Sequence, residues 1–332
     1  MPANKCIVTG VAGFIGSHLA ERLLVEGYEV VGIDCFSDYY PRPMKERNLA
    51  QLVDVPGFHL VEADLCSLNL TPLISDTAYI FHLAAQPGVH KSWGIGFAEY
   101  VDANVLATQR LLEAAYQSPG LKKLIYASSS SVYGDCADMP LREDCTPRPI
   151  SPYGVTKLAG EHLVRLYYTA YGLSTISLRF FTVYGPRQRP DMAFHRFLQA
   201  IYGGQEITVY GNGEQTRDFT YVGDIVQANI QAMSCSQNGL TLNVGGGSQV
   251  TINHCLELLS TITQLEPRVR HLPAQPGDVN HTWADTTAAC ANLGYRPTVT
   301  LAEGLAAENA WYCAQRLADA GLSSADRGKN AG

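Results

Sequence analysis

Apolar residues in the first half of the chain come in short blocks with little polar alternation, at 6–9, 29–33, 58–62, 79–83, 123–127 and 174–179. Strands covered on both faces carry that signature, because neither face has to meet water. Longer stretches of helical periodicity separate them, at 16–26, 45–52, 102–117 and 153–171. Strand and helix taking turns predict an α/β fold of the Rossmann type, a doubly wound parallel sheet. Beyond residue 184 the punctuation changes: a loop spans 185–190, a helix 193–202 and a short strand 207–210, ahead of a turn holding Gly211 and Gly213. Helical spacing returns at 226–233, strand-like residues at 242–244, and a helix over 252–263 starts near Thr251. The expected organisation is a nucleotide-binding domain in 1–180, rejoined by 221–250, and a smaller α/β substrate-binding domain in 181–220 and 251–316. Residues 317–332, crowded with Gly, Ser, Ala and charge, are expected to form a flexible tail.

Composition narrows the partners. A hydrophobic fraction of 46% suits a globular core, and a net charge of -7 with scattered Lys and Arg excludes a basic face for nucleic acid. No apolar run is long enough to span a bilayer, and the first five residues pass straight into a strand with no room for a signal peptide, so a cytoplasmic protein is expected. The nine cysteines lack metal-site spacing, and no metal centre is expected; Cys6, Cys35, Cys235, Cys255 and Cys290 read as small residues at or near the core.

Gly10, Gly13 and Gly16 lie between the first strand and first helix, with Phe14 and Ile15 inside the triplet. A tight turn, close approach to a pyrophosphate and a helix N-terminus are what a dinucleotide needs at that place. Asp34 ends the second strand, where a carboxylate accepts from a ribose 2′-hydroxyl and repels a 2′-phosphate, which favours NAD over NADP. Asp64 and Leu65 follow the third strand toward the adenine, and the small residues after Leu83, Ala84 and Ala85, let the backbone lie against the cofactor. Asn104 has three readings: it orients the cofactor, it orients main chain, or it is a satisfied polar group of its helix.

The serine run at 128–131 follows a strand at the carboxyl edge of the sheet, where ligands bind in such folds. Alternating strand geometry keeps all four hydroxyls from facing one substrate. Tyr153 and Lys157 are four apart and share a helix face, so the ammonium is expected to lower the phenol toward neutrality and leave a base for an alcohol proton. Ser151 and Pro152 supply a cap and a fixed torsion to start that helix.

The segments 9–16, 82–85, 128–134, 151–154 with Lys157, and 217–222 together resemble the extended short-chain dehydrogenase/reductase family, in its branch of nucleotide-sugar epimerases, dehydratases and decarboxylases, over residues 5–316. The resemblance implies Ser129, Tyr153 and Lys157 as the catalytic set. Dehydratases and decarboxylases of the family carry carboxylates just before Val132; here Ser130 and Ser131 stand there, and a hydroxyl cannot shuttle a proton as a carboxylate does near neutral pH. Oxidation to a 4-keto sugar and return of hydride to its other face remain, which is 4-epimerisation with NAD regenerated.

Substrate contacts follow from the same resemblance: Arg217 at the diphosphate, Asp278 at the nucleotide ribose, and Val209 and Gln275 alongside. Thr182 and the neighbourhood of Arg189 resemble UDP-glucuronate 4-epimerases, in which Thr182 with Ser129 or Ser130 would hold the C5 carboxylate and Arg189 would act as clamp or gate. UDP-glucose/UDP-galactose 4-epimerase is the alternative substrate reading, and a non-catalytic dinucleotide sensor the alternative class. Helices at 102–117 and 153–171, with Leu163, Leu166 and Tyr167, resemble those that pair homodimers in the family; packing on the sheet is the other reading of the three residues.

Overall fold

The computed structural model describes residues 4–273 and 279–319. The chain lays down β1 (Lys5–Thr9), β2 (Glu29–Asp34), β3 (Phe58–Glu62), β4 (Tyr79–His82), β5 (Lys123–Ser129) and β6 (Thr175–Phe180) as one parallel sheet. It then leaves through β7 (Thr182–Tyr184), β8 (Glu206–Tyr210), β9 (Thr216–Arg217) and β10 (Phe219–Tyr221), and β11 (Leu240–Val244) returns beside β6. The seven-stranded order is β11-β6-β5-β4-β1-β2-β3, so the direction of winding reverses between β1 and β4. A crevice at such a reversal, beyond the carboxyl ends of the strands, is where these sheets bind ligands. Two short strands follow, β12 (Val250–Thr251) and β13 (Arg268–Leu272).

The first half carries α1 (Phe14–Val25), α2 (Arg42–Leu49), α3 (Thr71–Ile74), α4 (Phe97–Val101), α5 (Ala107–Tyr116) and α6 (Pro152–Tyr171). The second carries α7 (Ala193–Gly203), α8 (Val222–Ser234), α9 (Ile252–Thr263), α10 (Thr287–Leu293) and α11 (Leu301–Asp319). Strand alternation sorts their partners. On β1, Cys6 and Val8 pack with Leu19 and Leu23 of α1 and Ile225 of α8, whereas Ile7 packs with Leu111 of α5 and Val164 of α6. Each fully buried Leu or Ile among them contributes roughly 1.5–3 kcal/mol. A separate apolar cluster joins Phe194 and Leu198 of α7, Ile207 and Val209 of β8, Cys255 and Leu259 of α9 and Leu305 of α11.

Helix α6 starts as its sequence dictates: Ser151 accepts the Gly154 N–H on its hydroxyl at 3.1 Å with Pro152 at the first position, and Gly172 closes it at φ 71°. The helix expected over 102–117 instead opens as a π turn at Asp102–Leu106, continuous with α4 before it, and becomes α-helical only in α5. The cause is local. The Asn104 side chain is drawn to Gln86, and Thr108 donates its hydroxyl to the Asn104 carbonyl at 2.8 Å, which accommodates one extra residue in the turn.

Three expectations need correction. Residues 317–319, assigned to a tail, continue α11, where Asp319 pairs with Arg47. Cys35 is exposed, because it lies just past the end of β2 at the lip of a cavity. Leu163 and Tyr167 turn inward onto the sheet, and of the three residues proposed for pairing only Leu166 is exposed. Among the described residues no helix is long and apolar enough to cross a membrane.

Candidate active site

A cavity of about 640 Å³ runs along the carboxyl ends of the strands. Gly10, Gly13, Phe14, Ile15, Gly16, Asp34, Asp64 and Leu65 line one stretch; Leu83, Ala84 and Ala85 follow; Ser129, Ser130, Tyr153, Lys157, Thr182 and Arg189 complete the wall.

The glycine turn is built for close approach. Gly10 adopts φ 71°, and a Cβ there would sit 2.8 Å from the Ala84 nitrogen; one on Gly16 would sit 2.2 Å from the Gly10 carbonyl oxygen. Gly13 caps α1 and leaves the helix N-terminus open to the cavity. At the end of β2 the Asp34 carboxylate accepts the Ala12 N–H at 3.0 Å and the Phe36 N–H at 2.8 Å. Burial pushes its pKa up against those two donors and Lys45. Each carboxylate oxygen retains a lone pair for a ribose hydroxyl. A bare-backbone turn, an open helix N-terminus and an acid at the second strand end fit NAD.

At the reactive stretch, α6 and β5 bring Tyr153, Lys157 and Ser129 together. Burial outweighs the lowering expected for the phenol. Burial pushes the Tyr153 phenol above its ordinary value, with the Ser129 hydroxyl and Arg189 pulling it back, while burial lowers Lys157 to about 7, with Glu161 holding it up. The physical reason is that both groups lie in a low-dielectric setting that penalises whichever form is charged. The Lys157 ammonium rests 4.7 Å from the centroid of the Tyr126 ring, a cation–π contact.

The serines divide. Ser128 is buried and lines the cavity wall, but its hydroxyl is spent on Glu161, to which it donates at 2.7 Å. Ser129 caps the short turn at Ser130–Val132, accepting the Ser131 N–H at 3.2 Å, and its hydroxyl also meets that of Ser131 at 3.2 Å. Thr182, the first residue of β7, faces the same cavity. Arg189 is already engaged: its guanidinium forks onto Asp191 at 2.9 and 3.0 Å, and Tyr39 donates to the same carboxylate at 3.2 Å. Arg187 pairs with Glu21 of α1 at 2.5 Å.

Other expected positions fall elsewhere. Asn104 stands behind the wall: its Oδ1 accepts the Gln86 N–H at 2.7 Å, and its amide donates to the Gln86 carbonyl at 3.1 Å and to Thr156 at 3.0 Å. Main-chain support is therefore its observed work. Val209 is buried in the apolar cluster under β8, because alternate residues of that strand face the core. Arg217, on β9, donates to the carbonyls of Thr216 at 2.9 Å and Asn280 at 3.2 Å. Gln275 and Asp278 lie outside the described residues.

His82, next to Leu83 of the site wall, has a task that the sequence alone does not mark. It is fully buried, with Nδ1 2.8 Å from the Thr9 hydroxyl and Nε2 2.9 Å from the Thr108 hydroxyl. Thr108 donates onward to the Asn104 carbonyl, and Thr9 accepts the Ala84 N–H at 3.1 Å, so Nε2 carries the proton and Nδ1 accepts. Burial, then the charge of Lys157, depresses its pKa to about 3 and keeps it neutral. A histidine at the end of a strand ahead of small residues is the available signal.

Residues 6–245 match the model of the NAD dependent epimerase/dehydratase family. The chain belongs to this family. As a member of the NAD dependent epimerase/dehydratase family, it is similar to the crystal structure of UDP-glucuronic acid 4-epimerase from Bacillus cereus in complex with UDP-glucuronic acid and NAD. That likeness has a TM-score of 0.91 and 42% identity, and covers 94% of this chain and 99% of that one. A UDP-glucuronate 4-epimerase of Thermodesulfobacterium geofontis is 37% identical over 304 residues, 90% of this chain and 93% of the relative. An uncharacterised UDP-glucose epimerase of Bacillus subtilis is 40% identical over 309 residues, 92% and 97% of the two chains.

Proposed function

We propose that the protein is an NAD-dependent UDP-glucuronate 4-epimerase that interconverts UDP-glucuronate and UDP-galacturonate. The observation that carries this reading is the hydroxyl-lined reactive stretch, where Ser129, Ser130 and Thr182 share the cavity wall with Tyr153 and Lys157. The named UDP-glucuronate 4-epimerases among its relatives support it.

Residues 1–180 and 221–250 hold the cofactor in this scheme, and 181–220 with 251–316 the sugar nucleotide. The glycine turn takes the pyrophosphate and Asp34 the adenosine ribose. NAD supplies, when bound, the acceptor that takes a hydride from C4 and gives it back. Tyr153 removes the proton of the C4 hydroxyl, with Ser129 donating to the same oxygen and Lys157 stabilising the phenolate. A 4-keto uronate is a β-keto acid and loses carbon dioxide when its carboxylate aligns with the carbonyl π system. Thr182 with Ser129 or Ser130 holds that carboxylate out of alignment through neutral donors. Serine at 130 and 131 leaves no carboxylate there for elimination. Arg217 lies toward the diphosphate, and Leu106, Leu166 and Tyr171, exposed around α5 and α6, support a homodimer through those helices.

The deciding experiment incubates the purified protein with UDP-glucuronate and follows products by chromatography and mass spectrometry. An isomer of unchanged mass is expected. Loss of carbon dioxide, accumulation of NADH, or conversion of UDP-glucose alone would each overturn the assignment.

A further inference from the structure

Lys157 is enclosed by groups that no site assignment above uses. Helix α6 places Tyr153, Lys157 and Glu161 four residues apart in turn, on one face. Glu161 is buried and immobilised from two strands: Oε2 accepts Ser128 of β5 at 2.7 Å and the Arg179 Nε of β6 at 3.0 Å, and Oε1 accepts Arg179 Nη2 at 2.6 Å. Arg179 is itself fixed, standing 4.7 Å over the Tyr133 ring. Under Lys157, the Tyr126 ring offers its face to the ammonium and its hydroxyl donates to the Lys157 carbonyl at 3.3 Å.

Such a pair is a poor device for stability alone. Well-packed apolar residues commonly do as well as a buried ion pair, so its presence one helical turn beyond Lys157 asks for another reason. We propose that Glu161, braced by Ser128 and Arg179, and the face of Tyr126 are positioning residues that hold Lys157 charged and in place beside Tyr153. The ammonium stands over the Tyr126 ring of β5, feels the charge of Glu161 one turn on in its own helix and acts in turn on the neutral His82 of β4, with Tyr153 one turn back on the same helix face and Arg179 of β6 paired to Glu161. The Glu161 carboxylate is the one anion of that set, and its interaction with Lys157 favours the ammonium against burial. One hydroxyl of the serine run, that of Ser128, therefore braces the carboxylate that acts on the lysine.

This inference rests on the proposed function for its kinetic arm only. A second arm needs no turnover. The difference in unfolding stability between a background and the same background carrying Lys157→Met, followed from about pH 6 to 9, isolates the ammonium. A lysine whose folded pKa is depressed gives stability that rises with pH, since the unfolded chain then binds more protons. In Glu161→Gln the onset of that rise is expected to move down by about one pH unit, and Glu161→Asp is expected to restore it in part. The alkaline limb of kcat moves down by the same amount, with KM within about twofold. Because Glu161→Gln leaves Arg179 unpaired, Tyr126 provides the second test: Tyr126→Leu shifts both readouts in the same direction, and Tyr126→Phe, which keeps the ring, leaves both limbs in place. A general loss of stability with unmoved onset and unmoved limb would overturn the proposal. Absence of epimerase turnover in the parent protein would overturn the functional reading and leave the stability arm standing.

Discussion

The Glu308 carboxylate accepts the backbone N–H of Gly185 at 2.8 Å, tying the middle of α11 to the turn that opens the loop holding Arg187 and Arg189. Its other oxygen, Oε1, has no hydrogen-bond partner among the described residues. Burial raises the Glu308 pKa from 4.5 to about 8, only partly opposed by the Gly185 N–H. An acid raised in the fold contributes stability that is present below its unfolded value of 4.5 and lost as pH rises toward 8. Glu308→Gln keeps an acceptor for Gly185 and has no charge to bury. It is expected to match the parent near pH 5 and exceed it by roughly 1–3 kcal/mol near pH 9, read from urea unfolding at both pH values. A difference independent of pH would refute the account.

Gly16→Ala tests the dinucleotide turn. The added methyl would meet the Gly10 carbonyl oxygen at 2.2 Å and the Val11 Cα at 3.0 Å, both of them backbone. Expected is at least about a tenfold loss of NAD affinity by calorimetry, together with a stability loss of roughly 1–3 kcal/mol. Unchanged affinity would mean that the turn does not approach the cofactor.

At Asp34 the expectation concerns discrimination. Asp34→Asn removes the charge that repels a 2′-phosphate but leaves one acceptor for Ala12 or Phe36. The ratio of NADP to NAD affinity should rise by about tenfold, equivalent to about 1.4 kcal/mol. Fluorescence titration with both dinucleotides measures it directly.

Tyr153→Phe keeps the ring and its edge contact with Tyr100, 6.3 Å between centroids, and removes only the hydroxyl. Turnover should fall by about a thousandfold or more while NAD and sugar-nucleotide affinities change by less than about threefold. Residual turnover close to that of the parent would assign the proton to another group.

Thr182→Ala reports on carboxylate orientation. Losing one neutral donor is worth roughly 0.5–1.5 kcal/mol. Either the share of keto-pentose by-product or the KM for UDP-glucuronate should rise severalfold. Identical product ratios and kinetics would remove Thr182 from the carboxylate.

The parallel strands are legible in the sequence because their apolar blocks are unambiguous: 58–62 coincides with β3, and the cap at Ser151 and Pro152 locates the start of α6. Strand β13 is not, since its Arg, Val, Arg, His, Leu order breaks strand alternation, with its two apolar residues three apart on opposite faces of an exposed element that pairs with β8. The π turn is equally hidden, because it depends on Gln86 and Thr108, partners that helical periodicity does not register. In the serine run, spacing says that the hydroxyls must part company, and only β6 reveals why Ser128 departs, by supplying Arg179 to the carboxylate it binds. The direction of the Tyr153 and Lys157 shifts depends on how deeply both lie, a quantity that a four-residue spacing does not carry.

The order of the central sheet bears on how the chain matures. β6 pairs with β5 on one side, and its other side is completed only by β11, whose residues 240–244 follow a long excursion through β7 to β10. During synthesis from the N-terminus, a chain that has emerged as far as β6 presents Thr175–Phe180 as an open apolar edge for more than sixty further residues, about 3–12 seconds at ordinary elongation rates. Truncation before residue 240 would therefore leave the cofactor glycines intact and still yield a protein prone to aggregate at that edge.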